Sequence, residues 1–134
     1  MSKKRIVCLN RRAPHGTNYP QEGFEVALIG AAFDQDVAIA FVDDGVFQLK
    51  SEQNPRNLGL KNFTRSFGAL ADYEICEVYV EIESLTERGL VEDDLMTLIW
   101  EDEDDGDIEK PLLRFVGQDE MSQIISEADV VLNF

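Results

Sequence analysis

Short apolar segments alternate with amphipathic ones along the 134 residues of the chain. A continuous apolar run with β-branched members is typical of a strand that is buried on both faces of a parallel sheet. Helices between such strands cover the two faces of the sheet. The pattern therefore predicts an α/β fold. The predicted strands are Arg5–Leu9, Val37–Val42, Cys76–Ile82, Leu112–Val116 and Val130–Phe134.

The first predicted helix follows the loop after the first strand. Asn18 and Gln21 have the spacing of a capping box, and Pro20 fits the first helical turn. The residues from Phe24 to Phe33 are apolar almost all round the helix. This pattern predicts a helix that is sandwiched in the interior of the protein.

Three more helices are predicted further along the chain. Asn62 is the cap of the second helix, whose apolar face consists of Phe63, Phe67, Leu70 and Ala71. Ser84 and Glu87 form a capping box for a short third helix, which Gly89 can end. The last helix has an apolar face made of Met121, Ile124, Ile125 and Ala128.

Four other segments carry weaker patterns. Val46–Leu49 is predicted as one helical turn, and Ser51–Asn57 as a loop. Glu92–Trp100 is ambiguous between helix and strand, and the acidic stretch Glu101–Glu109 is predicted as a solvated loop. The five strands then form a three-layer, flavodoxin-like arrangement with a mostly parallel sheet, in one domain that spans residues 1–134.

The apolar segments also bear on where the protein resides. The longest of them, Val26–Phe33, falls well short of the roughly 20 residues that a membrane-spanning helix needs. The run Ile6–Leu9 near the N-terminus is too short for the core of a signal peptide, and no small-residue cleavage site follows it. We therefore expect a cytoplasmic protein that makes no membrane contact.

The chain is strongly acidic, with a formal net charge of −15. A phosphate backbone is bound by clustered lysine and arginine, so this charge excludes nucleic acid as a direct partner in our prediction. The charge is also uneven, because five of the twelve basic residues fall in the first twelve positions and ten acidic residues lie between Glu92 and Glu109. Such an asymmetry can steer a protein partner.

The two cysteines, Cys8 and Cys76, both fall inside predicted strands, and the chain has no CxxC pair. Both are expected to be reduced core residues. A nucleophile pair of Cys8 with His15, the single histidine, is the alternative. Burial in the middle of a strand would raise the pKa of the Cys8 thiol, however, and make it unreactive. His15 is therefore predicted to be a solvated loop residue.

Ligands of open parallel sheets bind beyond the carboxyl ends of the strands. The loops to consider are Arg11–Thr17, Asp43–Leu49 and the segment after Val80. A phosphate site would need a glycine-rich turn after the first strand, and a calcium loop built on Gly106 would require a glutamate at the position of Leu112. We therefore predict that the protein holds no metal and no cofactor.

The third strand has an unusual outer face. Cys76, Val78 and Val80 alternate with Glu77, Tyr79 and Glu81, so two carboxylates share one face of a strand that should be covered on both sides. Either solvent or another protein chain covers this face. Tyr79, with an apolar ring and a polar tip, is a candidate interface residue.

Four separated stretches together resemble the F-type (TusC-like) subunits of the DsrE/DsrF/DsrH sulfur-relay family. The first is Ala13–Thr17, the second Asp43–Leu49, the third Ser84–Leu90, which is similar to an SLxxRGL motif, and the fourth Ala128–Phe134. The likeness covers nearly the whole chain, with matching order and spacing. The acidic loop and the segment from Val26 to Asp36 are more similar to the sulfur-oxidation branch than to the tRNA-thiolation branch.

This resemblance implies a DsrE/F-like fold and a heterohexamer with E-type and H-type sibling subunits. It also implies relay of persulfide sulfur to a small cysteine-bearing acceptor protein. The E-type sibling carries its reactive cysteine about eight residues before the turn that here ends in Gly89, and Glu81 occupies that position. A carboxylate cannot form a persulfide, so the resemblance implies a subunit without catalytic residues. The candidate interface or site-lining residues are His15, Gly16, Thr17, Asp43, Asp44, Phe47, Tyr79 and Glu81.

Three alternatives to this hypothesis stay open. The chain could serve wobble-uridine thiolation of tRNA, act as an independent sulfurtransferase through Cys8 or Cys76, or bind a flavin as flavodoxins do. Each would leave a different chemical signature: a different acceptor, a sulfur atom on a cysteine, or a coloured protein.

Overall fold

The computed structural model of the protein describes residues 3–51 and 63–134. Its main sheet has five strands in the order β6-β3-β2-β1-β7, and all neighbouring strands run parallel. The predicted α/β architecture with a five-stranded parallel sheet is confirmed. The strands are β1 (Arg5–Asn10), β2 (Asp36–Phe41), β3 (Val78–Glu81), β4 (Ile99–Asp102), β5 (Ile108–Pro111), β6 (Leu113–Val116) and β7 (Val130–Asn133).

Helices lie on both faces of this sheet. Three are α-helices and four are 3-10 helices within the described residues. The helix between residues 63 and 73 is of the 3-10 type, and its predicted apolar residues Phe67 and Leu70 are buried. The predicted cap of this helix, Asn62, and most of the predicted loop Ser51–Asn57 lie outside the described residues. The helices are α1 (Tyr19–Ala32), α2 (Ile82–Glu87), α3 (Gln118–Ser126) and 3-10 helices at Asp43–Leu49, Phe63–Tyr73, Glu92–Asp94 and Glu103–Asp105.

Alternate residues of the central strands point to opposite faces of the sheet and contribute to two hydrophobic cores. On one face, Phe41 and Val78 pack with α1 and the helix at 63–73, where Phe67 meets the Phe41 ring edge-on. On the other face, the small residues Ala38 and Ala40 pack with Met121 of α3. Each fully buried large apolar side chain contributes about 1.5–3 kcal/mol through removal of its surface from water. The two-sided burial explains why the strand sequences are continuously apolar.

The first helix differs from its prediction in two respects. Asn18 precedes α1, but its side chain makes no capping hydrogen bond, so the predicted capping box is wrong, whereas Pro20 does lie in the first turn. The helix is also not sandwiched in the interior, because its outer side is exposed, whereas its inner side packs on the sheet and Phe24 contacts Phe67 of the helix at 63–73. Pro20 is buried with Gly23 and Ala27, whereas Ile29 is 56% exposed and Phe33 is 73% exposed.

The third strand is shorter than predicted, because helix α2 begins at Ile82. Ser84 therefore lies inside α2 rather than before it, and the predicted capping box of Ser84 and Glu87 is wrong. Gly89 does end the helix, with a φ of +69° that suits glycine. Cys76 precedes the strand and is half-buried, so its prediction as a strand core residue is also wrong.

The acidic stretch predicted as a solvated loop is a β-hairpin, and that prediction is wrong. Strands β4 and β5 pair antiparallel, and Lys110 forms ion pairs of 2.6 Å with Asp102 and 3.1 Å with Asp105. Two buried leucines, Leu98 and Leu112, flank the hairpin. The amide of Leu112 donates to the carbonyl of Leu98 at 2.8 Å and closes the base of the hairpin. None of the helices in the described ranges is long and apolar enough to cross a membrane.

Candidate functional site

The carboxyl ends of β1, β2 and β3 lie side by side, as the strand registers require. A different segment leaves each of them: the loop 11–17 after β1, the 3-10 helix Asp43–Leu49 after β2, and α2 directly after β3. The predicted site residues other than Tyr79 all belong to these segments or to the end of β3. The structure therefore places most of the predicted residues at one edge of the sheet.

A serine connects the ends of β2 and β3. The amide of Asp43 donates to Ser84 Oγ at 2.9 Å, and the Ser84 hydroxyl donates to Glu81 Oε1 at 2.7 Å. Ser84 itself is buried. A hydroxyl that accepts from a backbone amide has one proton left to donate, so the Glu81 carboxylate is held in one orientation. Asp43 and Glu81, separated in sequence, thus meet at this edge.

The backbone after β2 is tightly constrained. Asp43 has a φ of +52°, a left-handed conformation that is uncommon for a residue with a side chain. Gly45 lies against the end of β1, and a Cβ atom at this position would overlap the carbonyl group of Asn10. The amide of Val42 donates to the same carbonyl at 3.0 Å. Glycine is required here by the close approach of two backbone segments.

Ion pairs surround this constrained backbone. Arg88 Nε donates to Asp44 Oδ1 at 2.9 Å, and another nitrogen of Arg88 donates to the carbonyl of Ser84 at 3.1 Å. Arg11 lies 3.2 Å from the Asp43 carboxylate. The carboxylates of both pairs are largely exposed, so each pair contributes only about 0–1 kcal/mol to stability. Their effect is to fix where the two aspartates point.

The loop after β1 is attached to the 3-10 helix at 43–49. Gln48 Nε2 donates to the carbonyl of Arg12 at 2.9 Å, and the Arg12 guanidinium lies 3.8 Å from the centre of the Tyr19 ring. His15 is half-buried in this loop, so its prediction as a solvated residue is only partly met. Gly16 has a φ of +104°. Gly16 and Thr17 are exposed, and Phe47 of the 3-10 helix is half-buried.

Tyr79 is the predicted site residue that belongs elsewhere. Its hydroxyl donates to Glu77 Oε2 at 2.9 Å, and Glu77 also pairs with the Arg5 guanidinium. Burial alone would raise the pKa of Glu77, but the hydrogen bonds from Arg5 and Tyr79 and the nearby positive charges outweigh burial and lower it. Tyr79 therefore lies with a group of charged side chains towards the amino ends of the strands.

Neither cysteine lies at the carboxyl edge beside Glu81. Cys8 is 1% exposed within β1, and burial raises the pKa of its thiol to about 11, which confirms the predicted buried thiol. Cys76 lines a groove of about 760 Å³ between the helix at 63–73 and the hairpin. Burial and the surrounding carboxylates raise the pKa of Cys76 as well, although Arg114 opposes them. Both thiols are protonated at neutral pH.

The edge exposes charged side chains, namely the Asp43 and Asp44 carboxylates and Arg11, which suit recognition of a charged partner better than covalent chemistry. The prediction from sequence missed Ser84, Arg88 and Gln48, which hold the edge together. Ser84 and Arg88 are separated by one helical turn, so both fall on one face of α2. That spacing within the SLxxRGL-like stretch was the signal that could have revealed them.

A model of the DsrE/DsrF-like family matches residues 4–134 of the chain. The intracellular sulfur oxidation protein DsrF of Allochromatium vinosum is 42% identical over 131 residues, which cover 98% of this chain and 96% of that protein. A TusC homologue of Pseudomonas aeruginosa is 37% identical over 90 residues, covering 67% of this chain and 76% of its own length.

Protein TusC of Shigella flexneri is 40% identical over 87 residues, which cover 65% of this chain and 73% of that protein. The crystal structure of YchN from E. coli superimposes with a TM-score of 0.72 at 18% identity, covering 99% of this chain and 100% of that one. This last likeness concerns the fold alone. Together with the match over residues 4–134, these similarities establish that the chain belongs to the DsrE/DsrF-like family.

Proposed function

We propose that the chain is a non-catalytic subunit of an intracellular sulfur-relay complex. The complex would be a heterohexamer with E-type and H-type sibling subunits, and it would pass persulfide sulfur to a small cysteine-bearing acceptor protein. The names of the relatives, an intracellular sulfur oxidation protein and TusC proteins, support a role in sulfur relay. The protein would work in the cytoplasm.

The observation that carries this proposal is the carboxylate of Glu81 at the end of β3. The family resemblance implies that this position corresponds to the reactive cysteine of the E-type sibling. Here a buried serine holds a carboxylate, which cannot accept a sulfur atom as a thiolate does. Cys8 is enclosed by the core, and Cys76 precedes the strand at its opposite end. The chain thus lacks a thiol where the relay would need one.

The extent of similarity favours the sulfur-oxidation branch. The match to DsrF covers 98% of this chain, whereas the matches to the TusC proteins cover 67% and 65%. Thiolation of the tRNA wobble uridine is the alternative, because TusC proteins are also relatives. In either branch, the carboxylates of Asp43, Asp44 and Glu81 would contact basic residues of the acceptor protein, which would compete with Arg11 and Arg88 for the two aspartates.

The test is to load the complex of all three subunits with a persulfide donor and to locate the added sulfur by alkylation and mass spectrometry. We expect no added sulfur on Cys8 or Cys76, and sulfur transfer that survives Cys76→Ala. Sulfur on either cysteine of the folded chain, lost in the matching alanine variant, would contradict the proposal and support an independent sulfurtransferase.

A gain-of-thiol variant tests the role of the position itself. Glu81→Cys places a thiol at the end of β3 beside the Ser84 hydroxyl, and we expect this thiol to take up sulfur from the donor. Glu87→Cys is the matched control, because Glu87 is an exposed glutamate at the end of α2, the helix that follows β3. Equal labelling of the two variants would show that the β3 position has no special access to the relay.

A further inference from the structure

The two ion pairs at the carboxyl edge differ in how firmly their arginines are held. The Arg88 side chain is 19% exposed, and its guanidinium donates to the carbonyl of Ser84 at 3.1 Å as well as to Asp44. The Arg11 side chain is 57% exposed, and within residues 3–51 and 63–134 its one side-chain partner is the Asp43 carboxylate. The pair of Arg11 with Asp43 is therefore the easier of the two to open.

The geometry of the Arg11–Asp43 pair is that of a weak contact. Nε and Nη2 of Arg11 both lie 3.2 Å from the same oxygen, Asp43 Oδ2. The strongest arginine–carboxylate pairs instead place two parallel hydrogen bonds on the two oxygens. Water also reaches both groups and screens their attraction. A competing cation can therefore replace the arginine.

The backbone on either side of this pair is fixed independently of it. The amide of Arg11 donates to the carbonyl of Phe134 at 3.0 Å, and the amide of Asp43 donates to Ser84 Oγ at 2.9 Å. Opening the ion pair breaks neither bond. The Arg11 side chain can then move away while the Asp43 carboxylate stays at the end of β2, where a partner can reach it.

The charge of the whole chain and the charge beside Asp43 have opposite effects on a basic partner. The formal net charge of −15 attracts such a partner from a distance. Close to the edge, the partner meets the Arg11 guanidinium, which already neutralises the carboxylate. A lysine can take its place from several directions, because an ammonium group is a compact charge with three donors.

We infer that Arg11 is an internal competitor of the acceptor protein: it holds the Asp43 carboxylate in the free chain and is displaced there by a lysine of the acceptor. The inference rests on the proposed function, which places the acceptor at the carboxyl edge. The competition lowers the affinity by the strength of a surface ion pair, about two- to fivefold. A lower affinity makes the acceptor leave faster after it has received its sulfur.

The experiment measures binding of a tetralysine peptide with a neutral fluorophore to the full-length chain, by anisotropy at low ionic strength, where exposed charges are screened least. We expect Arg11→Gln to bind the peptide about two- to fivefold more tightly than the wild-type chain. Arg11→Lys keeps the charge and should bind it as the wild-type chain does. Arg12→Gln is the charge-matched control, because the Arg12 guanidinium lies against the Tyr19 ring, and it should give only the smaller gain that follows from net charge.

A double-mutant cycle with Asp43→Asn assigns the gain to this carboxylate. In the Asp43→Asn background, Arg11→Gln should gain no more than Arg12→Gln does, because the competition requires the carboxylate. An equal gain for Arg11→Gln and Arg12→Gln in the wild-type background would refute the inference. Weaker binding by Arg11→Gln, or no binding by any variant, would refute it as well. Thermal unfolding of each variant controls for loss of folding.

These outcomes are separate from those that test the proposed function. The peptide assay needs neither persulfide nor the other subunits. If the loaded complex passes no sulfur to an acceptor, the proposed function fails whatever the peptide assay shows. If the wild-type complex passes sulfur and Arg11→Gln binds the peptide no more tightly than Arg12→Gln, only the competition by Arg11 is refuted.

Discussion

The two ends of strand β3 are held in place by different means. Towards the amino end, Glu77 is fixed by side chains, namely the Arg5 guanidinium and the Tyr79 hydroxyl. At the carboxyl end, Glu81 has one hydroxyl partner, and the surrounding order comes from backbone contacts such as the approach of Gly45 to Asn10. Both glutamates point to the same face of the strand, but among the described residues only Glu77 of the two is part of an ion pair.

This difference separates a structural carboxylate from one that is available for binding. Glu77 and its partners neutralise one another, so replacing Glu77 should change stability more than recognition. Glu81 accepts a hydrogen bond from the Ser84 hydroxyl, which does not require its negative charge, so Glu81 can be replaced without loss of the fold. The carboxyl edge is therefore suited to carry function, because the Glu81 side chain is not required for the structure around it.

The largest expected effect is at the backbone of the carboxyl end. Gly45→Ala forces a methyl group into the carbonyl of Asn10, so we expect a loss of roughly 3 kcal/mol in the free energy of unfolding. Urea denaturation measures this loss. Gly117→Ala is the control, since its added Cβ meets ordinary contact distances of 3.9 Å and should change stability by less than about 1 kcal/mol. Equal effects would show that the approach of the two segments is not tight.

An intermediate effect is expected at the amino end. Glu77→Gln removes the charge that Arg5 pairs with, and we expect a loss of about 1 kcal/mol at pH 7 because the pair is partly exposed. The folded protein lowers the pKa of Glu77 below its ordinary value of 4.5. The stabilisation is therefore complete above about pH 4.5, and it disappears as the pH falls through the lowered pKa. Urea titrations of both proteins between pH 3 and 7 should converge at the acid end, and a constant difference would contradict this.

The smallest effect is expected at Glu81. Glu81→Gln keeps an oxygen that can accept the Ser84 hydroxyl, so we expect less than about 0.5 kcal/mol of lost stability. Thermal unfolding at neutral pH, compared with Glu77→Gln under the same conditions, is the measurement. A loss at Glu81 equal to that at Glu77 would remove the distinction between the two ends of the strand.

Most of the sheet could be predicted from sequence, because a buried strand leaves a local record. The run at 37–42 is apolar over its whole length and forms the buried strand β2. The parallel order follows from the helices that connect successive strands. The sequence of the hairpin at 99–111 contains no continuous apolar run of this kind. Its strands depend on the ion pairs of Lys110 and on the buried Leu98 and Leu112, which no local pattern of charges shows. A run of acidic residues is typical of a solvated loop, and that interpretation was wrong here.

The candidate site was predicted in part for a similar reason. The rule that parallel strands end at one edge is enough to bring Asp43 and Glu81 near each other. The role of Ser84 was missed, because it depends on helix α2 starting three residues earlier than a capping box would have it. Its contact with the Asp43 amide also depends on the left-handed backbone of Asp43, which sequence does not indicate.

The two ends of the hairpin at 99–111 lie next to each other, so the chain leaves the hairpin close to where it enters it. Ile99 is paired with Pro111, and the preceding and following leucines share a hydrogen bond, so the two attachment points are neighbours. Replacing everything between them with a tight turn would leave the sheet order in place and would remove only the packing of Trp100 against the core. The same geometry makes the turn at Gly106 a site for inserting a reporter domain, since the ends of an insert there need span only the width of two strands.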